Sequence, residues 1–272
     1  MRMTDFEYNG QRLSDFGMIP CLIDSSSDTA VEVANNVVIN RIKAPNTYKY
    51  LAAGYSYEDV LTVNFQTCKS GCDVVHTSIT DVEINRMMRW LNRKRYCKFK
   101  PIYIDGYFGD IYYEGTFNVK PIVIGKNIVG LDLTFSTNAP YGFLEPINFE
   151  HEFTSPEDKL ILSDISDEVG HIYCNATITC LENGDLNISN SLDPDNVLII
   201  HDCSNGEIIT LNGQQKIIST SLDTHKTLYN DFNYNFLRIN NTYEDVKNVF
   251  TSTLKCKVSL EYSPIRKVGL IV

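Results

Sequence analysis

The sequence has one tryptophan, Trp90, and no apolar run near the ~18 to 20 residues that a membrane-spanning helix needs. It is poor in positive charge, with 24 Lys+Arg against 34 Asp+Glu, a net charge of −10. A chain of that balance repels phosphates except at a local basic patch, which argues against a protein that holds nucleic acid. No G-x-S-x-G elbow, H-E-x-x-H helix, P-loop or G-x-G-x-x-G occurs, and among 34 acidic residues no carboxylate pair stands apart, so enzyme chemistry is not indicated. The start, MRMTDFEYNG, places Asp5 and Glu7 where a signal peptide would be apolar. The chain is expected to be made, and to stay soluble, in a cytoplasm. There its eight cysteines would be reduced and would not form a disulfide framework.

Alternation of apolar and polar residues marks half-buried strands along the whole chain. Leu61, Val63 and Phe65 alternate with Thr62, Asn64 and Gln66, and Val129, Leu131, Leu133 and Phe135 with Gly130, Asp132, Thr134 and Ser136. In the second half, Ile172 to Cys180 and Leu254 to Tyr262 repeat the pattern, and Asn212-Gly213 reads as the type I′ turn of a tight hairpin. One segment has a helical period. Thr80 and Glu83 form a capping box ahead of Ile84, Met87, Met88 and Leu91, with Arg93, Lys94 and Arg95 at the C-terminal end. The reading is all-β with one short helix: two antiparallel β-sandwich domains, residues 1–144, with the helix at about 80–95, and 145–272. The proline-rich stretch from Pro140 to Pro156 separates them.

The candidates for chemistry have plain alternatives. Cys68, Cys72 and His76 follow a C-x3-C-x3-H spacing, but no fourth zinc ligand is evident and a strand end with loop cysteines explains them. His201 and Cys203 stand two apart in a strand, hence on one face, as a base and thiol or as a core pair. No metal, cofactor or catalytic residue is assigned. Arg86, Arg89 and Arg93 read as a solvated face or protein contact. The segment APNTYKYLAAGYSY, rich in tyrosine and small residues, has the composition of an interface arm, with Tyr48, Tyr50, Tyr55 and Tyr57 as its contacts.

The order of local signatures resembles the distal tail protein (Dit) family of long non-contractile-tailed phages and prophages. It runs DFEYNGQRLSDFGMI, a helix leading into RWLNRKRYCKFKPIYI, YFGDIYYEGTFN, LDLTFSTNAPYGF, and terminal FLRIN and TLKCKVSLEYSPIRKVG strands. The resemblance implies a ring-forming N-terminal domain, a galectin-like C-terminal domain projecting outward, and last residues that return to the first domain. It implies a homohexameric baseplate hub at the virion tail tip, joining the tail tube to tail-tip and receptor-binding proteins, with DNA only passing through the lumen and no membrane insertion.

A carbohydrate-binding module contacting the bacterial surface is the alternative, with Tyr229, Tyr234 and Tyr243 as candidate sugar or partner contacts. The sequence shows no tryptophan and no complete polar cluster in residues 145–262. The second domain is therefore expected to be a docking platform, offering long loops such as SNSLDPDN and YNDFNYN. A wall glycanase or esterase would need a carboxylate pair or an activated nucleophile, and none can be named.

Overall fold

A computed structural model describes residues 3–21, 23, 37–71, 78–104, 110–225, 227–242 and 246–267. The chain divides into two compact units, Met1–Leu144 with Arg266–Val272, and Glu145–Ile265.

Among the described residues the strands of the first unit include β1 (Met3–Tyr8), β2 (Gln11–Arg12), β3 (Met18–Cys21), β4 (Val37–Ile42), β5 (Leu51–Tyr57), β6 (Thr62–Lys69), β7 (Cys97–Tyr103), β8 (Ile111–Ile124), β9 (Asn127–Thr137) and β10 (Gly142–Leu144). An α-helix, α1, runs Asp81–Leu91. Seven strands follow the order β2-β1-β7-β8-β9-β6-β3, every described pair antiparallel, with β10 beside β8. Leu61, Val63, Phe65, Leu131, Leu133 and Phe135 are buried as their alternation requires. The core is unusually aromatic. Phe99 lies 4.4 Å from Phe135, and Phe117 4.8 Å from Phe135. Trp90 stacks on Phe16 at 4.5 Å and on Phe6 at 5.5 Å.

The helix forms where its capping box sits: Thr80 N donates to Glu83 Oε2 at 2.8 Å and Thr80 Oγ1 accepts from Glu83 N. It buries Met87, Trp90 and Leu91. Trp90 Nε1 donates to the Tyr8 carbonyl at 2.8 Å, so the one tryptophan pins the helix to the sheet. Lys69 Nζ lies 2.9 Å from Glu83 and holds that carboxyl down at about 2. Arg86 covers the Phe16 ring and Arg93 returns to the Trp90 carbonyl.

The second unit is a sandwich. Its strands are β11 (Ile147–Phe153), β12 (Leu160–Leu162), β13 (Gly170–Tyr173), β14 (Asn175–Cys180), β15 (Gly184–Asn190), β16 (Asp193–Cys203), β17 (Ile208–Asn212), β18 (Ile217–Thr220), β19 (Arg238–Asn241), β20 (Asn248–Ser252) and β21 (Cys256–Tyr262). Five lie in the order β11-β21-β14-β17-β18 and four in the order β12-β20-β15-β16. Ala176, Ile178, Leu211 and Val258 from the first sheet share one core with Leu162, Ile188, Leu198 and Phe250 from the second. A four-residue helix, α2 (Leu228–Asp231), and the β13–β19 pair complete the unit.

Three local expectations are corrected. Asn212-Gly213 does begin a hairpin, but Asn212 pairs with Ile217 across a four-residue loop, and the left-handed residue is Lys216. Gly213 is required for space: a Cβ there would strike the Cys174 carbonyl. His201 and Cys203 do not share a face. Asp202 at φ 55 interrupts the strand alternation, leaving His201 exposed and Cys203 buried. SNSLDPDN is no long loop, since Asn190 pairs with Asp193 across a two-residue turn. The Arg238 guanidinium holds Asp193 at two points and keeps its carboxyl below the ordinary range.

Candidate functional site

The first candidate surface is the antiparallel ribbon β4–β5, which pairs Val37 with Tyr57 at one end and Ile42 with Leu51 at the other, shifts register by one residue between Asn40 and Arg41, and belongs to none of the larger sheets. Its sequence explains its character. Val37, Val38 and Ile39 are consecutive β-branched residues, so apolar side chains emerge on both faces, the pattern of a strand covered on both sides. Here all of β4 is exposed, with Ile42 58% and Leu51 57% accessible. An isolated two-stranded ribbon is marginally stable in water, which makes this one a segment that lacks its covering partner among the described residues.

The tyrosines assigned to the arm fall on this ribbon and its turn. Tyr48 is fully exposed at the tip, where Thr47 Oγ1 donates to the Ala44 carbonyl at 2.8 Å and Asn46 adopts φ 62. Tyr50 and Tyr55 are exposed, with Lys43 Nζ over the Tyr50 ring at 5.7 Å. Tyr57 is half-buried at the base, edge-on to Tyr141 at 5.9 Å. The strand Val37–Ile42, which pairs with Leu51–Tyr57, was not picked out from the sequence. Its signal was present in the β-branched run VVINRI.

The second candidate surface is the outward face of the five-stranded sheet. There a trough of about 260 Å³ crosses four strands. Register aligns its side chains in two rows. Asn148 on β11 stands opposite Glu261 on β21, and Glu261 opposite Asn175 on β14. One step along, Ser259 stands opposite Thr177, and Thr177 opposite Thr210 on β17. Ser259 Oγ donates to Asn148 Oδ1 at 2.8 Å, whereas Asn175 Oδ1 is buried and has no hydrogen-bond partner among the described residues.

The predicted contacts of the second unit lie elsewhere. Tyr229 and Tyr234 are both exposed around α2, and Tyr234 Oη donates to the Tyr229 carbonyl at 2.9 Å. Tyr243, Cys72 and His76 lie outside the described residues. Exposed His201 lies 3.0 Å from Asp185, which raises the His201 pKa and lowers that of Asp185. Among the described residues no three His, Cys, Asp or Glu side chains gather as metal ligands, and no helix is long and apolar enough to cross a membrane.

Two all-β units, one carrying an uncovered apolar ribbon, define a protein built for assembly with other chains. Residues 1–139 match the family model described as phage tail protein N-terminal domain, and residues 141–262 the model described as phage tail C-terminal domain. The chain belongs to this family of phage tail proteins and is a structural tail component. Among solved structures it is similar to the Dit protein of phage SPP1, described as a paradigm of the hub adsorption apparatus in phages infecting Gram-positive bacteria. That match has a TM-score of 0.60 over 96% of this chain and 99% of the other, at 10% identity. The fold is thus that of a distal tail protein. Comparison with curated proteins gives no match.

Proposed function

We propose that this protein is the hub at the distal end of the tail. Six copies close into a ring through their first units, and the ribbon Val37–Tyr57 of each copy lies on its neighbour. The observation that carries this reading is the ribbon, apolar on both faces and exposed on both. Burying it against the next subunit removes about 25 cal/mol of unfavourable apolar hydration per Å², and head-to-tail contacts that close leave no uncovered edge. The SPP1 relative belongs to a hub adsorption apparatus, and the same place in the virion is assigned here. The ring joins the tail tube on one side to tail-tip and receptor-binding proteins, and the galectin-like second unit supplies contacts to them. The genome crosses the lumen, and a protein of net charge −10 does not retain passing phosphates. The chain is made in the host cytoplasm and leaves in the virion.

Electron microscopy and light scattering of the full chain, alone and co-expressed with its neighbouring tail proteins, test the reading. Six-fold rings that are lost on deletion of residues 37–57 are expected. Monomers under both conditions, or rings that survive the deletion, would overturn it.

A further inference from the structure

His225, between β18 and α2, is buried with a carboxylate at each ring nitrogen. Glu207 Oε1 lies 2.7 Å from Nδ1, and Asp231 Oδ2, on α2, lies 3.4 Å from Nε2. We propose that the Nε2 proton of His225 is a pH-sensitive latch: with it α2 is held against the β17–β18 hairpin, and without it α2 and its tyrosines loosen. The device is independent of ring closure.

The two sides of the ring are not equivalent. Glu207 is fully buried and accepts from Thr220 Oγ1 and from Ser204 N. Burial alone would raise its pKa, yet with these donors and His225 the net shift is downward. Glu207 is therefore a fixed anionic acceptor, and His225 keeps a proton on Nδ1 towards it in either state of the ring. Nε2 is the side that changes. Neither Nε2 nor Asp231 Oδ2 has a hydrogen-bond partner among the described residues, so each depends on the other. An imidazolium presents an N–H to the Asp231 carboxylate. A neutral ring protonated at Nδ1 presents a lone pair instead, setting acceptor against acceptor where both are shielded from water, which is costly. Asp231 then gains by turning outward, since its side chain is already 21% exposed. That opening also lets protons exchange with the pair.

Little else holds the turn. α2 has four residues and no side-chain bond capping its start. Buried Leu228 and Phe232 anchor its two ends, which confines the loosening to the residues between them, and Tyr234 follows because its hydroxyl donates to the Tyr229 carbonyl. The titratable groups around the ring come from four elements. Besides Glu207 and Asp231 they are the Cys180 thiol of β14, kept neutral beside Glu207 by its hydrogen bond with Cys203 and by burial, and His201 of β16. The bridge between Ile200 and Phe232 sets His201 beside Asp231, with Asp185 and Asp202 around it. His201 is exposed and acts on Asp231 from the far side only. The docked state is the one that keeps the second proton, so by linkage docking weakens as pH rises through the imidazole range, about pH 5 to 8.

Hydrogen–deuterium exchange of the full chain, read by mass spectrometry across about pH 5 to 8, tests this. Protection of the amides of residues 228–234, taken relative to the intrinsic rate at each pH, should fall about tenfold in a single-proton step, while peptides from β14 and β21 keep theirs. His225→Gln should abolish the step. So should Asp231→Asn, whose amide can donate to a bare Nε2 and which alters a partly exposed side chain, so that it reads the latch even where the buried substitution perturbs folding. His201→Gln should leave the step in place. Protection that is flat with pH in the parent chain would overturn the latch. So would a step that survives Asp231→Asn, or one that His201→Gln removes.

Discussion

Glu207 Oε1 lies 2.7 Å from His225 Nδ1, with the two side chains 0% and 5% exposed. The same oxygen accepts from Thr220 Oγ1 at 2.5 Å, and Oε2 accepts from Ser204 N at 3.0 Å. On its other side His225 Nε2 faces Asp231 at 3.4 Å. The cluster therefore ties the β17–β18 hairpin to α2 and to the tyrosines around it. Burial pushes the Glu207 pKa up, but the hydrogen bonds from Thr220, Ser204 and His225 outweigh it, and the net shift is downward.

A folded pKa below the unfolded one contributes stability above the usual glutamate value of 4.5, and that stability is lost as pH falls through the lowered value. Thermal unfolding followed from pH 7 into acid should therefore show the second unit weakening below ~4.5. Glu207→Gln should flatten that dependence. Glu207→Ala should lower stability at pH 7 by about 3 kcal/mol, since it strips a buried network of its centre. A pH profile identical in Glu207→Gln and the parent chain would remove Glu207 from this role.

Trp90 plays the corresponding part in the first unit. Trp90→Ala leaves a cavity among Phe6, Phe16 and Tyr8 and should destabilise that unit by about 3 to 5 kcal/mol. Trp90→Phe retains a ring but loses the bond to the Tyr8 carbonyl, and should cost about 1 to 2 kcal/mol. Denaturant titration followed by far-UV circular dichroism reads both.

The strands and helix were legible in the sequence because period and capping are local. Thr80 with Glu83, and the alternations ending at Phe135 and Tyr262, depend on neighbours a few residues away. His201 and Cys203 were misread because one left-handed residue, Asp202, shifts everything after it by one face, and an Asp at φ 55 has no unique sequence mark. The ribbon was half legible: the tyrosine-rich segment marked its second strand, while the first, VVINRI, carries no local cue to where it pairs. The trough was not legible at all. Asn148, Asn175, Thr210 and Glu261 are ordinary outward residues on four strands, and only the sheet order puts them together.

Ile39 separates assembly from folding. Its side chain is exposed on β4, so Ile39→Lys should change the stability of the isolated chain by no more than about 0.5 kcal/mol. The same lysine placed in a subunit contact would bury an unpaired charge. Light scattering should then show dissociation of the assembled form at concentrations where the parent chain stays assembled, with identical melting of the dissociated chains. Equal assembly of the two proteins would mean that β4 lies outside the contact.

The cysteines give the last test, because reactivity follows thiolate population and access. Cys174, Cys180, Cys203 and Cys256 are buried in the second core, and burial raises the Cys174 and Cys256 thiols to about 12 and about 11. Cys180 is raised further, first by its hydrogen bond with Cys203 and then by burial. All four are sealed in the core, and at pH 8 Cys174, Cys180 and Cys256 are held neutral, whereas Cys21 and Cys68 are partly accessible. Brief alkylation of the native chain followed by mass spectrometry should label Cys21 and Cys68 and spare the core four. After unfolding in denaturant without reductant, all eight cysteines should label, as thiols kept in a reducing cytoplasm would, and no stoichiometric zinc should accompany the protein. Zinc lost together with alkylation of Cys68 would restore the Cys68, Cys72 and His76 site. Core labelling as fast as that of Cys68 would instead mean that the sandwich opens on the timescale of the reaction, because a sealed thiol reacts only as often as its core unfolds.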